Sequence, residues 1–338
     1  MSTFVWRRAH TVVAAATAAV LVAGGIGYAA TRDSPGVAPL PAASTPGAES
    51  PEPSPPTSKP VKAKPVDPLT GGRVNRRPVI AVKVENIAAA RPQVGLSEAD
   101  IVFVEEVEGA QTRLVAVYHS TFPDRLGPVR SARNTDVQLL PLFGKPGLVY
   151  SGANARVKRM IDAASIVPIS RSTRDNSRIA PHNVFVDLAG IAKSERLRPA
   201  QPIGWVFADQ IDGEAARAGT VKTRVGNDSF RFDYGKGRYT VRWRGERYAD
   251  GDSGAIARAD NVVIMKVRNR ADGNRDVLGS ASVLSETVGH GKVSVYRDGR
   301  RVSGTWQRNK VSGTLRFRDA DGQTIPLKPG QTWVALSG

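Results

Sequence analysis

An uncharged run from Val12 to Ala30 lies directly behind Arg7, Arg8 and His10, and it limits where this chain can fold. A basic end followed by an apolar run is an export signal or a signal anchor, with the basic end left in the cytoplasm. The run approaches the ~20 residues that span a bilayer as a helix. Gly24, Gly25, Gly27 and many alanines make it only weakly hydrophobic. Cleavage after Ala29 fits the small residues of Gly27-Tyr28-Ala29; the length of the run, beyond a usual signal core, favours retention. In both cases everything after residue 30 is expected outside the cytoplasm, either secreted or anchored to the cell membrane.

Composition narrows the chemistry. The chain has no cysteine, so it has no disulfide framework, no thiol nucleophile and no lipid attachment at a cysteine after the signal. From Thr31 to about Arg77 the text turns to Pro, Ala, Ser and Thr, as in Pro51-Glu52-Pro53-Ser54-Pro55-Pro56. Such a segment cannot bury enough apolar surface to order itself, and 31–77 reads as a disordered tether. The formal net charge of +17 calls for an anionic counterpart. Export argues against nucleic acid and turns the expectation to anionic wall polymers, their precursors or envelope proteins.

The remaining sequence predicts an α+β protein: a mixed α/β domain over 78–215 and a β-rich domain over 220–338. In the first, strands are expected at Pro78–Val84, Ile101–Val104 and Arg113–Tyr118, with a short turn of helix near residues 95–100 capped by Ser97. A helix is expected after Ser131, ending at Gly144-Lys145-Pro146, and another over Asn154–Ala164 with Val157, Met160 and Ile161 on one face. In the second, short strands are expected at Ser229–Tyr234, Tyr239–Arg244, Asn261–Val267, Lys292–Arg297, Gly304–Arg308 and Thr314–Arg318. Asp298-Gly299 and Asp321-Gly322 carry hairpin-turn chemistry. Trp243, Trp306 and Trp333 read as core fillers.

Gly127-Pro128-Val129-Arg130-Ser131-Ala132-Arg133 is the strongest functional signal. It places two arginines three residues apart where a loop runs into a helix, and guanidinium forks match carboxylate or phosphate. Arg113 is a third candidate, and His182 and Asn183, on a loop stiffened by Pro181, complete the expected anion-binding set with Ser131. Only His119, His182 and His290 follow the apolar run, without HExxH-like spacing, so neither a metal nor a cofactor is expected. Glu105 and Glu106 could offer acids for glycan chemistry, but alternation along a strand aims them at opposite faces. No nucleophile elbow, P-loop or dinucleotide fingerprint occurs.

An ordered series of motifs extends these readings: Ala90-Arg91-Pro92-Gln93-Val94-Gly95-Leu96, Ala99-Asp100-Ile101-Val102, Thr112-Arg113, Gly127 to Arg133, Ala180-Pro181-His182-Asn183, Ala259-Asp260-Asn261-Val262-Val263, Gly304-Thr305-Trp306 and Pro329-Gly330-Gln331-Thr332-Trp333. The series resembles the YerB-like family, catalogued as domain of unknown function 3048, over about residues 76–338. The resemblance implies an extracytoplasmic, membrane-associated protein of mixed α and β structure, often a lipoprotein among relatives, with no assigned reaction. The lack of cysteine departs from that pattern, so the N-terminal segment must replace the lipid. Two functions follow as expectations. One is a non-enzymatic envelope module that grips an anionic group through Arg113, Arg130 and Arg133. The other is an envelope glycan hydrolase or transferase using His182, Glu105 or Glu106 as acid or base.

Overall fold

The computed structural model describes residues 65–211, 215–275 and 279–338; the apolar run and most of the expected tether lie outside them. The described residues form one compact unit. Its centre is a long mixed sheet, and alternation along each strand decides what covers each face.

Five strands come from the first half: β1 (Ile80–Glu85), β2 (Ile101–Glu106), β3 (Thr112–Tyr118), β4 (Gly147–Val149) and β5 (Val167–Ile169). The second half holds β6 (Thr220–Val225), β7 (Asp228–Gly235), β8 (Arg238–Trp243), β9 (Asn261–Lys266), β10 (Asn269–Arg275), β11 (Ala281–Ser285), β12 (Gly289–Arg297), β13 (Arg300–Arg308), β14 (Arg316–Arg318) and β15 (Thr332–Ser337), of which β9, β12, β13, β14 and β15 join the central sheet. The central sheet runs β14-β13-β12-β9-β15-β2-β3-β1-β4-β5. Strands from both sides of the expected boundary near 215–220 therefore share one sheet. The seam is β15, which lies parallel to β2 on one side and to β9 on the other, and all six of its residues are buried.

The two faces carry separate cores. Ile80, Val82 and Val84 of β1 face a second sheet made of β6, β7 and β8, where Phe230, Phe232, Val241 and Trp243 close over Trp333. Val79, Ala81, Phe103, Val115 and Val117 face the opposite way, onto α1 (Asn134–Leu139), the 3₁₀ turn Leu140–Phe143 and α2 (Ala155–Ala163). Asn154 caps α2 by accepting from the Val157 amide at 2.8 Å, and Val157 and Ile161 turn inward as their spacing requires. A third helix, α3 (Leu188–Ser194), is capped by Asp187.

The β-rich second half matches the expectation, and Trp243, Trp306 and Trp333 are buried. The first half is less helical than a mixed α/β domain suggests, since its helices are one to three turns long. Ser97 caps nothing: it sits inside the 3₁₀ turn Leu96–Glu98, whose N-cap is Gly95 in the left-handed region. Among the described residues no helix is long and apolar enough to cross a membrane.

Candidate functional site

The helix-side face of the central sheet is apolar until the strands near their ends, where charge replaces it. Lys83 and Glu85 follow Ala81 on β1, Arg113 precedes Val115 on β3, and Glu105 follows Phe103 on β2. Register places Arg113 opposite Glu85 on one side and Glu105 on the other. The Gly127–Arg133 segment crosses this charged end. Its backbone is bonded on both sides: the Arg130 amide donates to the Lys83 carbonyl at 2.8 Å, and the Val129 amide to that of Val184 at 2.7 Å. Gly127 is required by close approach, since a Cβ there would lie 2.7 Å from the Val184 carbonyl oxygen.

Arg113, Arg130, Ser131 and Arg133 converge on a solvent-open cleft of about 630 Å³, lined also by Glu85, Glu108, Asn154 and Arg275. Two of the arginines are held by carboxylates through their inner nitrogen. Arg130 donates from Nε to Glu85 Oε1 at 2.7 Å, and Arg133 donates from Nε to both oxygens of Glu108 at 2.6 and 2.8 Å. Anchoring at Nε fixes the plane of a guanidinium while leaving outer N–H groups for another acceptor. Arg133 spends Nη1 on the Ala132 carbonyl. Burial works to raise the Glu108 carboxyl, but the Arg133 guanidinium outweighs it and holds Glu108 below the usual carboxylate range.

Arg113 differs from its neighbours. It is only 9% exposed and, among the described residues, gives a single hydrogen bond, from Nη1 to the Ser131 carbonyl at 3.2 Å. Among the described residues it has no carboxylate within ion-pair distance. Burial, then the charges of Arg133 and Arg130, push its pKa down to about 10. A cation in this position remains short of negative charge, which an incoming anion would supply.

The helix start plays a smaller part than the sequence suggests. Arg133 is the N-cap of α1, and its amide is already taken by Asp136 Oδ2 at 2.6 Å. The positive charge of the cleft comes from side chains. His182 and Asn183 do not line the cleft. His182 Nδ1 lies 2.8 Å from Glu85 Oε2, so His182 supports from behind the carboxylate that anchors Arg130. Asn183 is buried and accepts from Arg174 Nη1 at 3.0 Å, which ties down its loop.

Glu105 and Glu106 part company as alternation requires. Glu105 is wholly buried and, with Asp136, shares the single ammonium of Lys83. Burial and then the Asp136 charge push it up to about 7, against the pull of Lys83. Glu106 accepts from Asn269 Nδ2 at 2.7 Å on the other side of the strand. His119 is buried against Asp67, at 2.9 Å, and ties the segment before β1 to β3. Among the described residues no cluster of His or carboxylates could hold a metal ion. Sequence reasoning missed Glu85 as an anchor; the available signal was Lys83 and Glu85, which break an otherwise apolar face of β1.

Comparison with known proteins places the chain in a family. A family model described as the N-terminal domain of a protein of unknown function (DUF3048) matches residues 68–201, and its C-terminal counterpart matches 220–334. The chain belongs to the DUF3048 family. Within this DUF3048 chain three of the cleft arginines and both supporting glutamates fall in the N-terminal match, whereas the fourth, Arg275, comes from the C-terminal one. The protein named "Putative lipoprotein YerB" of Bacillus subtilis (strain 168) is 27% identical over 298 residues, covering 80% of this chain and 85% of the relative. The crystal structure of YerB from Bacillus subtilis superposes with a TM-score of 0.67 at 26% identity, over 80% of this chain and 96% of that one.

Proposed function

We propose that the chain is an extracytoplasmic, membrane-associated binding module of the cell envelope, which recognises an anionic group of a wall polymer, a wall precursor or an envelope protein. The observation that carries this reading is the buried Arg113 guanidinium, open to a cleft and without a carboxylate partner, beside two arginines oriented through Nε. Four arginines line the cleft against two glutamates, leaving an excess of positive charge. Guanidinium forks at fixed orientation favour carboxylate or phosphate oxygens. The basic, uncharged-run N-terminus and the likeness to a protein named as a lipoprotein support the location.

The test is retention on purified cell walls. Arg130→Ala with Arg133→Ala should reduce binding at least about tenfold, as expected for the loss of charge-assisted hydrogen bonds. Arg268→Ala with Arg270→Ala, which removes two exposed arginines paired with Glu286, should change it little. Equal losses would mean diffuse charge attraction and overturn the site.

The hydrolase or transferase reading has less support. Glu105 has no exposed surface, Glu106 points away from the cleft, and His182 faces Glu85. Mass spectrometry of wall fragments incubated with the protein tests it directly, and new cleavage or transfer products would reverse the order of the two readings.

A further inference from the structure

The covering sheet stops short of the full width of the central sheet. Its last strand, β6, is bonded to β7 along one side only, and among the described residues no backbone hydrogen bond leaves its other side. Beside that free edge the central sheet exposes part of β9 and β12, and the two surfaces enclose a groove of about 800 Å³. Ile264 and Tyr296, both half-buried, are on its walls, together with Lys222, Arg224, Lys266 and Lys292. The groove opens on the face of the sheet opposite the arginine cleft.

The charge here is lopsided. Lys222, Arg224 and Lys292 make no ion pair among the described residues, and Lys266 donates only to Ser337 Oγ and the Gly338 carbonyl, at 2.9 and 3.0 Å. Glu106 is the one acidic side chain among the described residues that line the groove, and it is held by Asn269. Met265 pairs with Val293, which sets Lys266 and Lys292 side by side on neighbouring antiparallel strands. Like charges so placed repel and destabilise a sheet. Lysine and arginine on β6 could be explained as guards against edge-to-edge aggregation. Lys266 and Lys292 could not, because β9 and β12 are interior strands of the central sheet.

We infer that this groove receives an extended acidic segment of a partner protein, which adds as a strand to the free edge of β6. Main-chain groups of β6 would supply affinity, alternate apolar side chains would pack on Ile264 and Tyr296, and carboxylates would meet the four cations. Strand addition is a general mode of peptide recognition that uses these components together.

The test uses the full chain and a fluorescent synthetic peptide alternating valine and glutamate, with a second version N-methylated on alternate backbone amides. The unmodified peptide should bind, and hydrogen exchange should slow at amides within Thr220–Val225. Methylation, or Lys222→Glu with Lys292→Glu in a protein whose circular dichroism is unchanged, should weaken binding at least about tenfold. Failure to bind, equal binding of the methylated peptide, or protection confined to other strands overturns the inference. Arg130→Ala with Arg133→Ala should leave this binding unchanged, which separates it from the arginine cleft.

Discussion

Glu85 and Arg113 stand opposite each other across β1 and β3, yet they do not form an ion pair. Glu85 gives one oxygen to Arg130 and the other to His182. The cross-strand pair that a sheet would ordinarily close is thereby left open, and Arg113 keeps its charge for the cleft.

This relationship makes Glu85→Gln informative. The substitution adds positive charge to the cleft, so attraction by charge alone would strengthen binding to an anionic wall polymer. Positioned recognition requires the opposite: Arg130 loses its charged anchor, and retention on cell walls should fall by roughly threefold to tenfold, about 0.7–1.4 kcal/mol. Binding isotherms of the two proteins decide the sign.

Replacing His182 by Ala tests its place behind Glu85. Retention should fall less than for Arg130→Ala, and thermal stability should drop by about 1 kcal/mol, the usual worth of one hydrogen bond. A loss of binding as large as that for Arg113→Ala would mean that His182 touches the ligand itself.

The buried Lys83, Glu105 and Asp136 cluster gives the protein a pH-dependent stability. Glu105 is raised in the folded chain, from an ordinary value of 4.5 to about 7, because burial and Asp136 oppose its charge. The folded state therefore holds a proton that the unfolded state gives up. This contribution is fully present below about pH 4.5 and is lost as pH rises through 7. Urea unfolding should show it fall by on the order of 3 kcal/mol across that window, and Glu105→Gln should flatten the slope. Lys83→Met leaves two buried carboxylates without a cation and should cost about 3–5 kcal/mol at neutral pH.

Gly127→Ala should destabilise the chain by about 1–3 kcal/mol, because the added methyl would meet the Val184 carbonyl oxygen at 2.7 Å and Phe185 Cδ1 at 2.9 Å. Melting temperature measures this directly. Wall retention of the fraction that stays folded should also fall, since the segment carries Arg130 and Arg133.

Removal of residues 332–338 should unfold both halves together. Without β15, β2 and β9 lose their shared partner and the core loses Trp333, Val334 and Leu336. Circular dichroism and amide dispersion in NMR spectra should show loss of order in the first half as well as the second. Survival of either half alone would show independent folding.

Local signals were legible in the sequence because they obey short-range rules. Period-two alternation placed β1, β3, β9 and β12 to within a few residues. Turn chemistry gave the hairpin at Asp298-Gly299, where both residues take positive φ. Arginine spacing selected Arg130 and Arg133, and with Arg113 they do line one cleft. The terminal strand was visible only as part of a motif: Thr332–Ser337 is too short to announce that it joins two halves of a sheet.

What the chain determined by itself was composition and local pattern: the lack of cysteine, the excess of basic charge, the strand-rich second half, and a Gly-Pro segment leading to paired arginines. Tertiary structure alone decided which charges are satisfied. Cross-strand register, set by contacts distant in sequence, assigned Lys83 to Glu105 and Asp136, gave Glu85 to Arg130 and His182, and left Arg113 without a carboxylate partner among the described residues. A sequence states how many charges a protein carries, but their pairing depends on distances of a few ångströms between strands, which only the folded chain defines.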